Sequence, residues 1–351
     1  MLRIGLIGLG FMGNTHLENY MRLEQEGHDI QVVALCDMDP EKLKGPATAG
    51  NIETVGGAID FGRFKKYTSV ADMLAGEQLD AVDITLPTFL HEQVAVQCLE
   101  HGLHVLCEKP MALTQEACDN MLAAAERSGK QLMIGQCLRF WPAYVRLKEA
   151  IEGGEFGEVT NACFFRGGAT PTWGPWLLQK EKSGGALMDM HVHDADMVYW
   201  LFGMPQAVSA VGRNVVPGSG YDLVSAHYRY AGGQVVNAQA DWTLQGDFGF
   251  EMTYRVNFER GNILFKDGVV RVNPNEGAGY APELSADMGY YYQLKHFVER
   301  LVAGLPIVTA AGRDTRGTIE LVRAEMRSAD EDGAWVAIVT GEQVRYYDDE
   351  G

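Results

Sequence analysis

The chain begins with an apolar strand that runs directly into a glycine-rich turn. After LRIGLI come Gly8, Gly10 and Gly13, with Phe11 and Met12 between the last two glycines. In this GxGxxG spacing the backbone turns tightly, approaches a pyrophosphate closely and starts a helix whose N-terminus faces the anion. A glycine-rich turn can also form without a nucleotide. The motif therefore predicts a dinucleotide site only if alternating strands and helices follow it.

Such alternation does follow. Helical patterns separate successive strand-like runs, as in the helix predicted over 115–128, which Gly129 ends. Repeated βα units predict a doubly wound parallel sheet, and we assign residues 1–134 to this dinucleotide-binding domain. The glycine-rich stretch 45–62 is predicted to be an inserted loop. The predicted strands are 3–8, 31–37, 81–86, 104–108 and 131–134.

Beyond residue 134 the pattern changes, because strands rich in β-branched and aromatic residues follow one another directly. Turn signals such as 231–233 separate them and predict a mostly antiparallel sheet. Residues 135–351 are therefore predicted to form a second, α+β domain, whose C-terminal helices can pack back on the first. The predicted strands are 159–166, 207–213, 223–230, 234–242, 250–259 and 262–265, and the predicted helices are 187–202, 291–303 and 313–330.

Composition narrows the functional class. At 351 residues the chain is long for one core, which agrees with two domains. Its net charge of −18 disfavours nucleic acid and anionic membranes as partners. The six cysteines are scattered without a CxxC pair, so we expect reduced core thiols in a cytoplasmic protein. We expect no signal peptide or membrane span, since the N-terminal apolar run is strand-length and no run reaches about 18 apolar residues.

The residue after the second predicted strand bears on the choice of cofactor. Asp37 stands where a carboxylate accepts hydrogen bonds from an adenosine ribose diol and repels a 2′-phosphate. This favours NAD over NADP. The alternative is that Asp37 merely caps the following turn.

Two later segments follow strands whose carboxyl ends should border the same ligand. Leu86, Pro87 and Thr88 follow one strand, and Glu108 and Lys109 close the next. A lysine directly after a buried strand is costly to bury without a partner. Lys109 is therefore predicted to belong to a site, although a surface lysine held by a loop salt bridge would look the same.

The densest chemical cluster lies within 184–196. On a helix, Asp189 and His193 are four residues apart, so the carboxylate can orient the imidazole and raise its basicity. Together with Lys109 they form a set that can move a proton while a cofactor takes a hydride. His191 and His193 cannot easily converge on one ion from a helix, so we predict no metal, although the spacing resembles a ligand pair. A purely structural cluster is the other alternative.

Two tryptophans precede this cluster in a polar loop. Trp173 and Trp176 can stack on sugar rings, and packing of large side chains explains them equally well.

Five segments together resemble one family of oxidoreductases, the glucose-fructose oxidoreductase, inositol dehydrogenase and rhizopine catabolism (Gfo/Idh/MocA) family, over most of the chain. Singly they are moderate signals, but their order and spacing are strong. The segments are 8–13 with His16, Pro87 and Thr88 with His91, 102–110, Gly135 with Arg139 and Phe140, and 183–187 with Asp189, His193 and Asp196.

This resemblance implies an N-terminal Rossmann domain, an open-faced C-terminal sheet, and a homodimer or homotetramer built on that sheet. It implies a nicotinamide cofactor, with His91 and Arg139 among its contacts, and a carbohydrate or cyclitol substrate. By position, Lys109 is the catalytic lysine and His193 the acid/base, with Asp189 either as its partner or as a ligand of the substrate hydroxyl. His191 stands where the family commonly has glycine, and with Trp173 and Trp176 we assign it to substrate binding.

The leading hypothesis is an NAD-dependent dehydrogenase that interconverts a ring hydroxyl and a ketone. A hydrolase that oxidises a sugar transiently, labilises its glycosidic bond and then re-reduces the ring would carry much the same residues. A sensor that binds NAD without chemistry is a third reading, although it would not need Lys109, Asp189 and His193 together.

Overall fold

The computed structural model describes residues 1–45 and 59–338. They fall into two compact units that are discontinuous in sequence. The first comprises 1–45, 59–145, 171–183 and 285–319, and the second 146–170, 184–284 and 320–338. Compact units are not by themselves folding domains, so the division at 134/135 stays a prediction. Residues 46–58 of the predicted inserted loop lie outside the described residues.

A six-stranded parallel sheet forms the centre of the first unit, in the order β3-β2-β1-β4-β5-β6 among the described strands. This is the doubly wound Rossmann order, and it confirms the predicted fold class of this part of the chain. The strands are β1 (Leu2–Ile7), β2 (Ile30–Cys36), β3 (Lys65–Tyr67), β4 (Ala81–Ile84), β5 (His104–Glu108) and β6 (Leu132–Gly135). The helices that connect these strands are α1 (Phe11–Gln25), α2 (Val70–Gly76), α3 (His91–Glu100) and α4 (Gln115–Ser128).

Local signals explain where these elements begin and end. α4 begins where the Thr114 hydroxyl accepts the backbone N–H of Ala117, and it ends at Gly129, whose φ of 66° suits glycine. The short strand β3 was not predicted, because its exposed lysines give no apolar pattern at the sheet edge. A late helix, α8 (Gly289–Val302), packs Leu294 and Phe297 into the same core as Leu17 of α1.

The second unit is built on an eight-stranded sheet, in the order β13-β12-β11-β7-β10-β9-β8-β14 among the described strands. Only β7 and β10 pair in parallel, so the predicted mostly antiparallel sheet is confirmed. The strands are β7 (Val159–Gly168), β8 (Ala207–Arg213), β9 (Leu223–Arg229), β10 (Val235–Asp241), β11 (Phe250–Phe258), β12 (Gly261–Lys266), β13 (Val269–Pro274) and β14 (Val336–Ala337). The other described helices of the chain are α5 (Pro142–Glu152), α6 (Lys180–Ser183), α7 (Val192–Phe202) and α9 (Gly312–Asp330), of which α6 belongs to the first unit and α7 to the second.

The predicted helix over 187–202 has two parts. Leu187–His191 is a π-helical segment, and the regular helix α7 starts only at Val192. Just before the π-helical segment, Gly185 has a φ of 72°, and a Cβ there would lie 2.6 Å from the carbonyl oxygen of Ser219. Because a π turn closes five residues on rather than four, positions four apart still lie close to one face, and the pairing of Asp189 with His193 stays a prediction.

Within the described ranges, no helix is long and apolar enough to cross a membrane.

Candidate active site

The glycine-rich turn is packed so tightly that larger residues would not fit. Gly8 has a φ of 96°, and a Cβ on Gly13 would lie 1.9 Å from the carbonyl oxygen of Gly8. At Gly10, by contrast, a Cβ would meet no described atom within 4 Å. In the described residues no side chain caps the start of α1, and its first turn holds no acidic residue. The open side at Gly10 and the uncapped helix start fit a dinucleotide pyrophosphate.

Asp37 forms a hydrogen bond with the backbone of this turn. It is buried, and its Oδ2 accepts the backbone N–H of Leu9 at 2.7 Å, while its Oδ1 accepts that of Asp39 at 2.9 Å. The bond to Asp39 caps the turn that follows Asp37, which is the alternative role that the sequence offered. The bond to Leu9 connects Asp37 to the glycine-rich turn. Lys42 Nζ lies 3.6 Å from Oδ2.

The ends of β4 and β5 are linked by a buried histidine. His91 Nε2 lies 2.8 Å from the carbonyl oxygen of Leu86, and Nδ1 lies 2.8 Å from that of Pro110. Burial lowers the pKa of His91 and favours its neutral form. The neutral ring carries one N–H, so His91 donates to one of these two carbonyls, and it lies between two of the segments predicted to border the cofactor. Thr88 is buried beside it, and Pro87 is half-buried.

Lys109 has a distinctive setting. In the stretch 105–112 every residue is buried except Lys109, which is half-buried. Its backbone N–H donates to Glu108 Oε2 at 3.1 Å. The fold therefore places one accessible cation at the carboxyl end of a buried strand.

Three other predicted residues lie in the first unit. Arg139 is almost fully buried and forms an ion pair with Asp314 at the start of α9. Trp173 is 41% exposed, and Trp176 is half-buried in a short 3₁₀ turn. The predicted roles of Arg139 in cofactor binding and of the tryptophans in substrate binding stay predictions.

The second unit contains Asp189 and His193. Of residues 184–198, all of them described, only Asp189 and His193 are not buried. A carboxylate and an imidazole are thus the two side chains that this apolar segment leaves accessible. Asp189 and His193 belong to the second unit, whereas Lys109 belongs to the first.

Two family models match consecutive parts of the chain. Residues 2–136 match the oxidoreductase family with an NAD-binding Rossmann fold, and residues 144–264 match the Gfo/Idh/MocA C-terminal domain. The chain belongs to the Gfo/Idh/MocA family. The resemblance of the five sequence segments is thereby confirmed, and so is the prediction of an NAD-binding Rossmann domain.

This Gfo/Idh/MocA protein is similar to several characterised proteins. It is 32% identical over 214 residues to a 2,7-anhydro-N-acetylneuraminate hydratase of Mediterraneibacter gnavus, a match that spans 60% of this chain and 52% of that relative. It is 28% identical to the inositol 2-dehydrogenase of Salmonella typhimurium over 87% of both chains. A levoglucosan dehydrogenase solved with NADH and levoglucosan shares the fold, with a TM-score of 0.83, 23% identity, and coverage of 97% of this chain and 100% of that one.

His191, where the Gfo/Idh/MocA pattern commonly has glycine, lies in a buried polar network of the second unit. Its Nε2 is 3.0 Å from Glu325 Oε2, and the Tyr228 hydroxyl donates to Glu325 Oε1 at 2.8 Å. Beside this pair, Arg166 Nε donates to Asp194 Oδ2 at 2.9 Å. Sequence reasoning missed Arg166, Tyr228 and Glu325, because no local pattern joins such distant positions. The predicted role of His191 in substrate binding stays a prediction.

We expect Glu325→Gln to destabilise the protein in a pH-dependent way. Burial alone lowers the pKa of His191, but the Glu325 carboxylate outweighs it and raises that pKa above its usual value. The stabilisation from this pair is therefore fully present below about pH 6.5 and is lost as the pH rises through the raised pKa. Removing one partner of a buried ion pair costs about 3–5 kcal/mol. Urea unfolding should show that Glu325→Gln lowers the free energy of unfolding by about this amount below about pH 6.5. In alkaline buffer the loss should be smaller.

The exposed Glu331, close by in sequence, provides the control, since Glu331→Gln should leave the free energy of unfolding unchanged at either pH. An equal loss for Glu325→Gln at both pH values would show that the charge of His191 does not stabilise the fold.

The packing at Gly13 predicts a second effect, on cofactor binding. In Gly13→Ala the new methyl group must push the Gly8 carbonyl away, so the turn that faces the pyrophosphate changes shape. We expect the Kd for NAD to rise by roughly tenfold or more, which corresponds to about 1.4 kcal/mol. Titration calorimetry with NAD measures this. Gly168→Ala, where the new Cβ would find only ordinary contacts, should bind NAD normally. Equal affinities in the two variants would contradict the prediction.

Proposed function

We propose that this protein is an NAD-dependent dehydrogenase that interconverts a ring hydroxyl and a ketone on a sugar, glycoside or inositol. One observation carries the proposal. In the buried segment 105–112 only Lys109 is accessible, and in the buried segment 184–198 only Asp189 and His193 are accessible. These are the side chains that such chemistry needs.

Each of these residues has a proposed role. His193 accepts the proton of the substrate hydroxyl, and Asp189 holds the imidazole in the required orientation. The Lys109 ammonium stabilises the negative charge that develops on the same oxygen. When bound, the nicotinamide supplies the hydride acceptor or donor.

We propose the following cofactor contacts within the first unit. The turn formed by Gly8, Gly10, Phe11, Met12 and Gly13 holds the pyrophosphate against the start of α1. Asp37 faces the adenosine ribose, which favours NAD over NADP. Leu86, Pro87, Thr88, His91, Glu108 and Arg139 complete the proposed binding set.

The substrate class is supported by relatives that act on inositol and levoglucosan. The exposed face of Trp173 suits stacking on a sugar ring, with Trp176 and His191 as further proposed contacts. Since all six cysteines, which lie in the described part of the chain, are free thiols, we also propose a cytoplasmic protein. Val211 and Val235 are more than half exposed on the eight-stranded sheet, which supports a homodimer or homotetramer through that sheet.

The experiment that tests the proposal measures NADH absorbance and aglycone release in parallel. NAD, then NADP, is offered with free hexoses, inositols, sugar acids and simple glycosides. NADH formation with one substrate group would establish the dehydrogenase and name its substrate class. Silence in both channels would overturn the proposal and favour a sensor that binds NAD without turnover.

A second candidate is a redox-assisted glycoside hydrolase, in which NAD is reduced and reoxidised within one turnover. It is favoured by one finding, since a relative at 32% identity is named a hydratase rather than a dehydrogenase. Aglycone release without net NADH would select this reading.

A further inference from the structure

His16, Asp83 and Glu108 form a buried triad, entirely within the first unit. It lies next to the bend where β5 ends, which we call the Glu108–Lys109 turn. His16 Nδ1 is 2.8 Å from Asp83 Oδ2, and His16 Nε2 is 3.2 Å from Glu108 Oε1. The side chains of His16 and Asp83 are completely buried, and that of Glu108 is 6% exposed. Two carboxylates therefore lie within 3.2 Å of one buried imidazole.

The triad joins the elements that carry the proposed site. His16 is on α1, which begins at the glycine-rich turn, and Asp83 is on β4, two residues before Thr85, whose hydroxyl donates to the Gly8 carbonyl at 2.6 Å. Glu108 ends β5, and its Oε2 accepts the backbone N–H of Lys109. Displacing the Glu108 carboxylate would therefore shift the main chain of Lys109.

Glu108 has no room to move without consequence. A Cβ on Gly135 would lie 2.5 Å from its Oε1, so this carboxylate is packed against the backbone of β6. On the other side, the fully buried Tyr20 faces Asp83, and burial and that carboxylate raise the pKa of Tyr20, which keeps it neutral. His16 is thus the group that can supply positive charge between the two carboxylates.

The charge state of His16 agrees with this geometry. Burial alone lowers the pKa of His16, but the Asp83 and Glu108 carboxylates together raise it to about 10. As an imidazolium, His16 leaves the triad with one net negative charge. As a neutral ring it would leave two buried carboxylates repelling each other at close range.

We propose that His16 is a buried positioning cation for Lys109, which holds the Glu108 carboxylate in place by balancing one of the two negative charges behind the Glu108–Lys109 turn. This inference rests on the proposed function, because it takes Lys109 to be the group that stabilises charge on the substrate oxygen.

The first test needs no substrate. Nitrogen NMR of the full-length protein labelled at histidine, with His16→Gln to assign the signal, reports whether both ring nitrogens of His16 carry protons. We expect an imidazolium in neutral and mildly alkaline buffer in the wild type, and titration near the usual histidine range in Asp83→Asn. A neutral His16 ring in the wild type at neutral pH would overturn the proposal.

The second test is a charge-balance rescue, measured with NAD and the substrate that the activity panel identifies. His16→Gln leaves two uncompensated carboxylates, and we expect kcat to fall about 100-fold, as for a catalytic group misplaced by about 1 Å. His16→Gln with Asp83→Asn restores the original net charge, so kcat should recover at least tenfold relative to the single variant. His101→Gln, at an exposed position of the same unit, should not change kcat.

A merely structural role gives a different pattern, in which the two substitutions lower kcat additively and the double variant is worse than either single one. That result would overturn the positioning role. It differs from failure of the proposed function, which would appear as wild-type turnover in Lys109→Met whatever the His16 variants do.

Discussion

Lys109→Met is expected to lower kcat by about 10²- to 10³-fold, the loss typical of removing one donor that stabilises an oxyanion. The methionine side chain has similar length and no charge, so the substrate oxygen would develop negative charge without its cation. Because this interaction strengthens as the charge develops, kcat and kcat/KM should fall together. Steady-state kinetics with the identified substrate measures the effect, and calorimetric titration with NAD should give an affinity within a few-fold of the wild type.

Lys66→Met is the matched control, since Lys66 is exposed on the edge strand β3 of the same unit. It removes the same charge from the surface and should leave kcat unchanged. Wild-type turnover in Lys109→Met with normal NAD binding would rule out a catalytic role for this lysine.

His193→Asn should produce a loss of comparable size by a different route. A positioned general base contributes about 10²- to 10⁴-fold, and asparagine can hydrogen-bond to a hydroxyl but cannot take its proton. We therefore expect kcat to fall by about that factor and its pH dependence to flatten over the range where the wild type changes. Asp189→Asn should cause a smaller loss, because the imidazole remains and only its orientation is weakened.

The control for this prediction is His227→Asn, at an exposed position on β9 of the same unit, which should retain both kcat and its pH profile. If His193→Asn lowers kcat but keeps the wild-type pH profile, His193 is not the base, and another titratable group takes the proton.

The sequence predicted elements well where the local pattern and the environment agree. The helix 115–128 was predicted to the residue from its helical pattern and the glycine that follows it, and in the structure the Thr114 cap and the left-handed Gly129 mark the same bounds. The strand 104–108 was predicted equally well, since its apolar run and the following lysine leave little choice. Where the local pattern was weak, as in the polar edge strand β3 and the two-residue β14, the elements were missed.

Local patterns could not show how the segment 187–202 divides into a π turn and a regular helix. Gly185, just before this segment, packs against the backbone of Ser219, which is remote in sequence. The ion pair of His191 with Glu325 and the triad of His16, Asp83 and Glu108 were missed for the same reason.

By itself, the sequence determined the doubly wound fold and the mostly antiparallel second sheet, since spacing and periodicity act between neighbours along the chain. The family and the cofactor class followed from motifs that resemble those of known proteins. Only the tertiary structure decided which polar side chains are accessible and which are buried with a partner. Lys109, Asp189 and His193 remain accessible within buried segments, whereas His16 and His191 are enclosed between carboxylates and hydroxyls from distant elements. Burial and the balance of buried charge depend on contacts that only the folded chain brings together.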